Sequence, residues 1–158
     1  MKALFLAGGM GTRLRPLTND LPKPMVPIMG KPLLERNIEN LKRFGISEIV
    51  LSTCYKPGKI RKYFGDGSRF GVKISYICED EPLGTAGAIK NAEKFFNDTF
   101  LVFNADILSD FDISEMIAFH KEKGALATIA VTQVDNPSAY GVIEHDENGF
   151  ITAFKEKP

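Results

Sequence analysis

Three short stretches of this 158-residue sequence carry groups that can handle phosphate. The first is Gly8-Gly9-Met10-Gly11-Thr12-Arg13-Leu14-Arg15-Pro16. Its glycines let backbone N–H groups come close to an anion, because no Cβ intervenes. Thr12 adds a hydroxyl donor, and Arg13 and Arg15 add charge in a planar fork that suits phosphate oxygens. The second stretch is Pro22-Lys23-Pro24. Flanking prolines restrict the backbone, so the ammonium group leaves from a stiff platform and loses little entropy on meeting a phosphate. The third is Asn104-Ala105-Asp106, which follows the apolar run Phe100-Leu101-Val102-Phe103. A carboxylate beside nucleotide phosphates is a natural Mg²⁺ ligand.

Each stretch has an ordinary reading as well: a glycine turn, a surface lysine in a proline-rich segment, a turn aspartate. Their order and spacing favour the chemical one. Two common phosphate motifs are excluded. The Walker loop requires Gly-x4-Gly-Lys-Ser/Thr, which does not occur. The dinucleotide fingerprint Gly-x-Gly-x-x-Gly, counted from Gly9, meets Leu14 where its last glycine belongs. The end of the second strand reads Thr53-Cys54-Tyr55-Lys56, without the ribose-binding acid, so a nicotinamide-dependent dehydrogenase is disfavoured.

The elements that must position these groups alternate between strand and helix. Residues 2–7, 48–53, 72–78 and 99–104 read as strands, the first a continuous apolar run suited to burial on both faces. Pro16 to Pro32 holds five of the nine prolines and reads as irregular. A helix starts near Pro32, with Leu34, Ile38 and Leu41 on one face and Gly45 past its end. Further helices are predicted over 58–64, from Gly84 with Thr85 as N-cap and Ile89, Ala92 and Phe96 as its buried stripe, and over 113–123 behind Asp110 or Asp112. A long strand is expected over Ala125–Val134, then a hairpin of 141–145 with 150–155 around Glu147-Asn148-Gly149. This is an α/β fold: a Rossmann-like, mainly parallel sheet with flanking helices, read as one domain over 1–158. A strand order of 3-2-1-4 type would set Asp106 opposite the Gly8–Arg13 loop at the carboxyl ends of the strands.

Composition narrows the function. Twenty basic residues balance twenty acidic ones, so no global field draws the chain to nucleic acid or anionic membrane. The apolar start Met1–Leu6 is too short for a signal peptide or a membrane span, and a cytoplasmic protein is expected. Cys54 and Cys78 match no metal or redox spacing and read as reduced, buried thiols. His120 and His145 read as structural.

The run Leu6–Thr18, followed by Pro22-Lys23-Pro24-Met25-Val26-Pro27, resembles the signature of the sugar-1-phosphate nucleotidylyltransferases. The likeness continues through Gly65-Asp66-Gly67-Ser68, Glu81-Pro82-Leu83-Gly84-Thr85-Ala86-Gly87, Asn104-Ala105-Asp106, Tyr140-Gly141-Val142 and Glu156-Lys157-Pro158. Within that family the chain is most similar to the mannose-1-phosphate guanylyltransferases. The resemblance implies the nucleotide-diphospho-sugar transferase fold, with a nucleoside triphosphate and a sugar-1-phosphate as substrates and Mg²⁺ as cofactor. Leu6, Ala7, Gly8, Gly9, Gly11, Thr12, Arg13, Glu79, Gly84 and Thr85 would line the nucleotide site, with Glu79 and Gly84 at the base. Arg13 and Lys23 would act on the α-phosphate and the leaving pyrophosphate, and Asp106 would hold the metal. Gly141, Glu156 and Lys157 would meet the sugar phosphate.

The implied reaction needs no general base, because a phosphate monoester with a second pKa of about 6 is largely dianionic near neutrality. An ionised Glu79 only accepts hydrogen bonds, which suits the adjacent N–H donors of guanine and favours GTP. A uridylyl- or thymidylyltransferase for glucose-1-phosphate or a related sugar is the alternative within the class. A non-catalytic nucleotide-binding or regulatory module is the alternative outside it. Family members continue beyond Glu-Lys-Pro, so the chain is expected to lack the rest of the sugar pocket and a second metal-binding aspartate. It is expected to bind nucleotide with slow or no turnover, and to expose an edge or apolar face that favours self-association.

Overall fold

The computed structural model describes Met1–Lys157; Pro158, the last residue of the Glu-Lys-Pro run, lies outside the described residues. The chain forms two compact units, Met1–Phe111 and Asp112 onward, and each is described by itself.

In the first unit the elements follow in the order β1 (Lys2–Ala7), β2 (Pro27–Ile28), β3 (Lys31–Pro32), α1 (Leu33–Arg43), β4 (Glu48–Thr53), α2 (Pro57–Phe64), β5 (Lys73–Cys78), α3 (Gly84–Asn91) and β6 (Leu101–Asn104). The four longer strands make one parallel sheet in the order β5-β4-β1-β6, which is the 3-2-1-4 type on which the placing of Asp106 opposite the Gly8–Arg13 loop depends. β1 lies centrally and is almost wholly buried, as its unbroken apolar run requires. Leu4 packs with Val50, Ile77 and Ala92 on one face, joined by Ile89, Phe96 and Phe100. Phe5 lies 5.4 Å from Phe103 between ring centroids. Burying each such side chain contributes about 1.5–3 kcal/mol, which fixes register and hence the height at which every strand ends.

α1 buries Leu34, Ile38 and Leu41 and runs out at Phe44, where Gly45 takes φ +74° and turns the chain. β2 and β3 form a minimal antiparallel pair ahead of it. Three expectations for this unit are corrected. Thr85 is not the N-cap of α3: Leu83 occupies that place with no capping side chain of its own, and its N–H is instead accepted by the Glu79 carboxylate at 3.0 Å. Cys78 is exposed and Cys54 only half-buried, because both stand at strand ends where the sheet gives way to loops.

The second unit contains α4 (Ile113–Lys123), β7 (Gly141–His145) and β8 (Ile151–Glu156). Asp112 caps α4 by accepting from the N–H groups of Ser114 and Glu115, and Gly124 ends it in a left-handed turn. β7 and β8 form the expected antiparallel hairpin. The strand expected over Ala125–Val134 is not formed. Its alternating apolar residues find no hydrogen-bonded neighbour among the described residues, and Leu126, Ile129, Val131 and Val134 are exposed. A strand is a paired state, and periodicity without a partner does not make one.

Candidate functional site

The parallel sheet delivers its strand ends to one rim, where a cleft of about 840 Å³ opens. That volume lies in the range of small-molecule sites. Four chain segments line it: Leu6 to Leu14, Lys23-Pro24, Glu79 to Ala88, and Asn104 to Ile107.

The first segment leaves β1 at Ala7. Gly11 takes φ +61°, and a Cβ there would stand 3.0 Å from Thr18 Cγ2 and 3.1 Å from Lys23 Cβ. The loop therefore lies directly on the lysine platform, and only glycine fits. The Thr18 hydroxyl, fully buried, donates to the Gly11 carbonyl at 2.7 Å and fastens this turn from below. Thr12–Leu14 form a single 3₁₀ turn that leaves Arg13 exposed at the cleft. Arg15 does not line the cleft.

Pro22 and Pro24 are both buried, and Lys23 opens a 3₁₀ turn between them. Its ammonium group donates to Asp106 Oδ2 at 2.6 Å, with both side chains about one-third exposed, at 33% and 35%. Asp106 follows Ala105, whose N–H donates to the Leu6 carbonyl at 3.0 Å and so continues the β1–β6 ladder by one bond. Residues far apart in sequence are thus brought within reach of one ligand.

At the other side of the cleft Glu79 is buried, with 7% exposure. Its Oε1 accepts from the Ser52 hydroxyl at 2.6 Å and its Oε2 from the Leu83 N–H at 3.0 Å. Gly8 runs close beneath, since a Cβ there would lie 3.7 Å from Glu79 Oε1. Cys54 sits beside this carboxylate; burial first, and then the Glu79 charge, push its thiol above the ordinary range.

Leu6, Ala7, Gly8, Gly9, Gly11, Thr12, Arg13, Glu79, Gly84 and Thr85 all line the cleft, as do Lys23 and Asp106. In the second unit, Gly141, Glu156 and Lys157 meet at one end of the hairpin. Gly141 pairs with Glu156, the Lys157 N–H donates to the Tyr140 carbonyl at 3.0 Å, and Lys157 Nζ lies 3.8 Å from Glu156 Oε1. Sequence reasoning missed the supports. Ser52 follows the apolar run Ile49-Val50-Leu51, and Asn37 falls at helical spacing between Leu34 and Leu41 on the apolar face of α1; those breaks in pattern were the available signal. Asn37 Nδ2 donates to the Ala105 carbonyl at 3.3 Å, buried.

Among the described residues, no three His, Cys, Asp or Glu side chains come together to hold a metal ion by themselves. Asp106, the more exposed of the two carboxylates in the cleft, fits Mg²⁺, which is commonly held by one or two carboxylates plus substrate phosphates.

A family model for nucleotidyl transferases matches residues 2–158. The chain is 44% identical over 156 residues to a mannose-1-phosphate guanylyltransferase of Mycobacterium tuberculosis, covering 98% of this chain and 44% of that protein. It is 42% identical over 172 residues to a UTP–glucose-1-phosphate uridylyltransferase of Synechocystis, covering 100% of this chain and 44% of that protein. The solved structure of HddC from Yersinia pseudotuberculosis complexed with GMP-PN superposes with a TM-score of 0.80 at 37% identity, over 99% of this chain and 69% of that one. The chain thus spans less than half the length of those two sequence relatives. On the match over residues 2–158, the chain belongs to the nucleotidyl transferase family.

Proposed function

We propose that this chain binds a nucleoside triphosphate, GTP by preference, and contributes the nucleotide-binding part of a sugar-1-phosphate guanylyltransferase acting on mannose-1-phosphate. The observation that carries the reading is the convergence of the Gly8–Arg13 loop, Lys23 and Asp106 on one cleft. The similarity to a mannose-1-phosphate guanylyltransferase supports the choice of base and sugar.

In the proposed reaction an oxygen of the sugar phosphate attacks the α-phosphorus. A new O–P bond forms, the bond from the α-phosphorus to the bridging oxygen breaks, and its electron pair leaves on pyrophosphate. The barrier is the meeting of anions and the movement of charge, so fixed positive groups and backbone N–H donors are the remedy. Gly8, Gly9 and Gly11 supply the N–H groups. Arg13 offers a fork of donors, and Lys23 retains two N–H donors for phosphate oxygens after meeting Asp106. Asp106 would hold Mg²⁺ against the phosphates, and when bound that ion neutralises developing charge. Glu79 keeps one free lone-pair direction on each oxygen beyond its bonds to Ser52 and Leu83, enough to accept from guanine N–H groups. Gly141, Glu156 and Lys157 would take the sugar phosphate, with Lys157 on its phosphate.

No described helix is long and apolar enough to cross a membrane, and a cytoplasmic setting goes with this reading. Self-association through the exposed apolar run Leu126–Val134 belongs to it too, and light scattering tests that part. The test of function is twofold. Titration with GTP, UTP and dTTP should rank GTP tightest; tighter UTP binding would favour the uridylyl alternative, for which the Synechocystis relative speaks. Pyrophosphate release from GTP should require mannose-1-phosphate. Nucleotide binding with no release on any sugar phosphate, even in a full-length context, would favour a non-catalytic module.

A further inference from the structure

Lys23 and Asp106 are 83 residues apart, and a ring of bonds sets their spacing. The Lys23 carbonyl accepts from Val26 N–H at 3.1 Å, and the Val26 carbonyl accepts from Leu33 N–H at 3.1 Å, at the first residue of α1. One turn along, about 6 Å up the axis, Asn37 donates its side-chain amide to the Ala105 carbonyl at 3.3 Å. Ala105 is completely buried and its N–H is already held by Leu6, so both of its backbone polar groups are pinned. The next residue is Asp106, whose carboxylate closes the ring on Lys23 at 2.6 Å.

Of the links in this ring, only the Asn37 bond joins a helix side chain to the segment that bears the carboxylate. Asn37 is buried and lies outside the cleft lining, so it touches no ligand there. We propose that Asn37 is a positioning residue: by holding the Ala105 carbonyl against α1, it aims Asp106 so that metal and Lys23 act on the same phosphates. An apolar residue would serve the α1 core stripe as well, and the amide is explained by the carbonyl it meets. Removing an outer partner that orients a metal-holding group commonly lowers metal affinity about 10–100-fold. The proposal rests on the reading of Asp106 as the metal-holding group.

The test is calorimetric titration of GTP into the full chain with and without Mg²⁺, using the native protein, Asp106→Asn and the near-isosteric Asn37→Leu. Mg²⁺ should tighten binding to the native protein, and Asp106→Asn should abolish that gain. Asn37→Leu should cut the Mg²⁺-dependent gain about tenfold and leave metal-free affinity unchanged. A merely structural role would weaken both affinities together. Should Asn37→Leu fail to fold, the side-chain amide NMR signal of Asn37 in the native protein decides: it should move when Mg²⁺ joins bound GTP, and stay still in Asp106→Asn. A native Mg²⁺ gain that Asp106→Asn loses but Asn37→Leu keeps in full, or an Asn37 signal indifferent to Mg²⁺, overturns the role of Asn37 alone. A native protein without any Mg²⁺ gain, or Asp106→Asn that retains it, overturns the metal assignment and this proposal with it.

Discussion

Two carboxylates line the same cleft and live in opposite environments. Asp106 is about one-third exposed and faces an ammonium group at 2.6 Å. Glu79 is buried and faces only neutral donors, a hydroxyl and a backbone N–H. An ion pair one-third exposed contributes little to stability, because water screens it and the side chains lose freedom. Its charges remain available to a ligand. A buried carboxylate with both oxygens engaged holds structure, since removing it strands the donors that it satisfied. The Lys23–Asp106 end of the cleft therefore keeps its charges available to a ligand, and the Glu79 end is held in place.

That contrast can be broken at either end. The largest effect is expected at Lys23: in an active full-length context Lys23→Ala should lower pyrophosphate release about 10²–10³-fold, the usual loss for one donor at a charge-developing centre, while the melting temperature barely moves. A loss of stability matching the loss of rate would erase the distinction drawn above. Next in size, Glu79→Ala should cost about 1–3 kcal/mol in urea unfolding, whereas Asp106→Asn should cost about 1 kcal/mol or less. Equal costs would mean that the two carboxylates do the same work. Glu79→Gln sharpens the point, because the amide can still accept from Leu83 N–H and donate to Ser52. It should keep the fold and shift the GTP-to-UTP affinity ratio toward UTP. An unchanged ratio would remove Glu79 from base selection. The smallest structural effect is expected for Ser52→Ala, about 1 kcal/mol, with the Mg²⁺ dependence of nucleotide binding untouched.

A last probe uses the thiols. Burial and the neighbouring Glu79 charge hold Cys54 above the ordinary thiol range, so it carries less thiolate at mildly alkaline pH. The exposed Cys78 should alkylate first with iodoacetamide, and the gap should narrow as pH rises and Cys54 ionises. Mass spectrometry of the labelled peptides gives the order. Faster labelling of Cys54 would show that the Glu79 end of the cleft is more open than described.

The sequence by itself determined the central strand, since only burial on both faces suits a continuous apolar run such as Ala3–Ala7. It also determined α1, through its apolar stripe and the turn at Gly45, and the irregular loop after β1, through the glycines at 8, 9 and 11. It named Arg13 and Lys23 because charge close to glycine and proline is legible without a fold, and Asp106 because it follows an apolar strand. What it misread depends on neighbours: the 125–134 run has strand periodicity but no ladder partner among the described residues, and Cys78 stands at a strand end rather than within the core. Only the tertiary structure decided that Lys23 pairs with Asp106, that Glu79 is satisfied by Ser52 and Leu83, and that Asn37 reaches Ala105. These contacts join residues from 4 to 83 positions apart. Three of the four span 27 positions or more, and local propensity carries no information at that range; sheet order and helix packing alone bring such groups within hydrogen-bond distance.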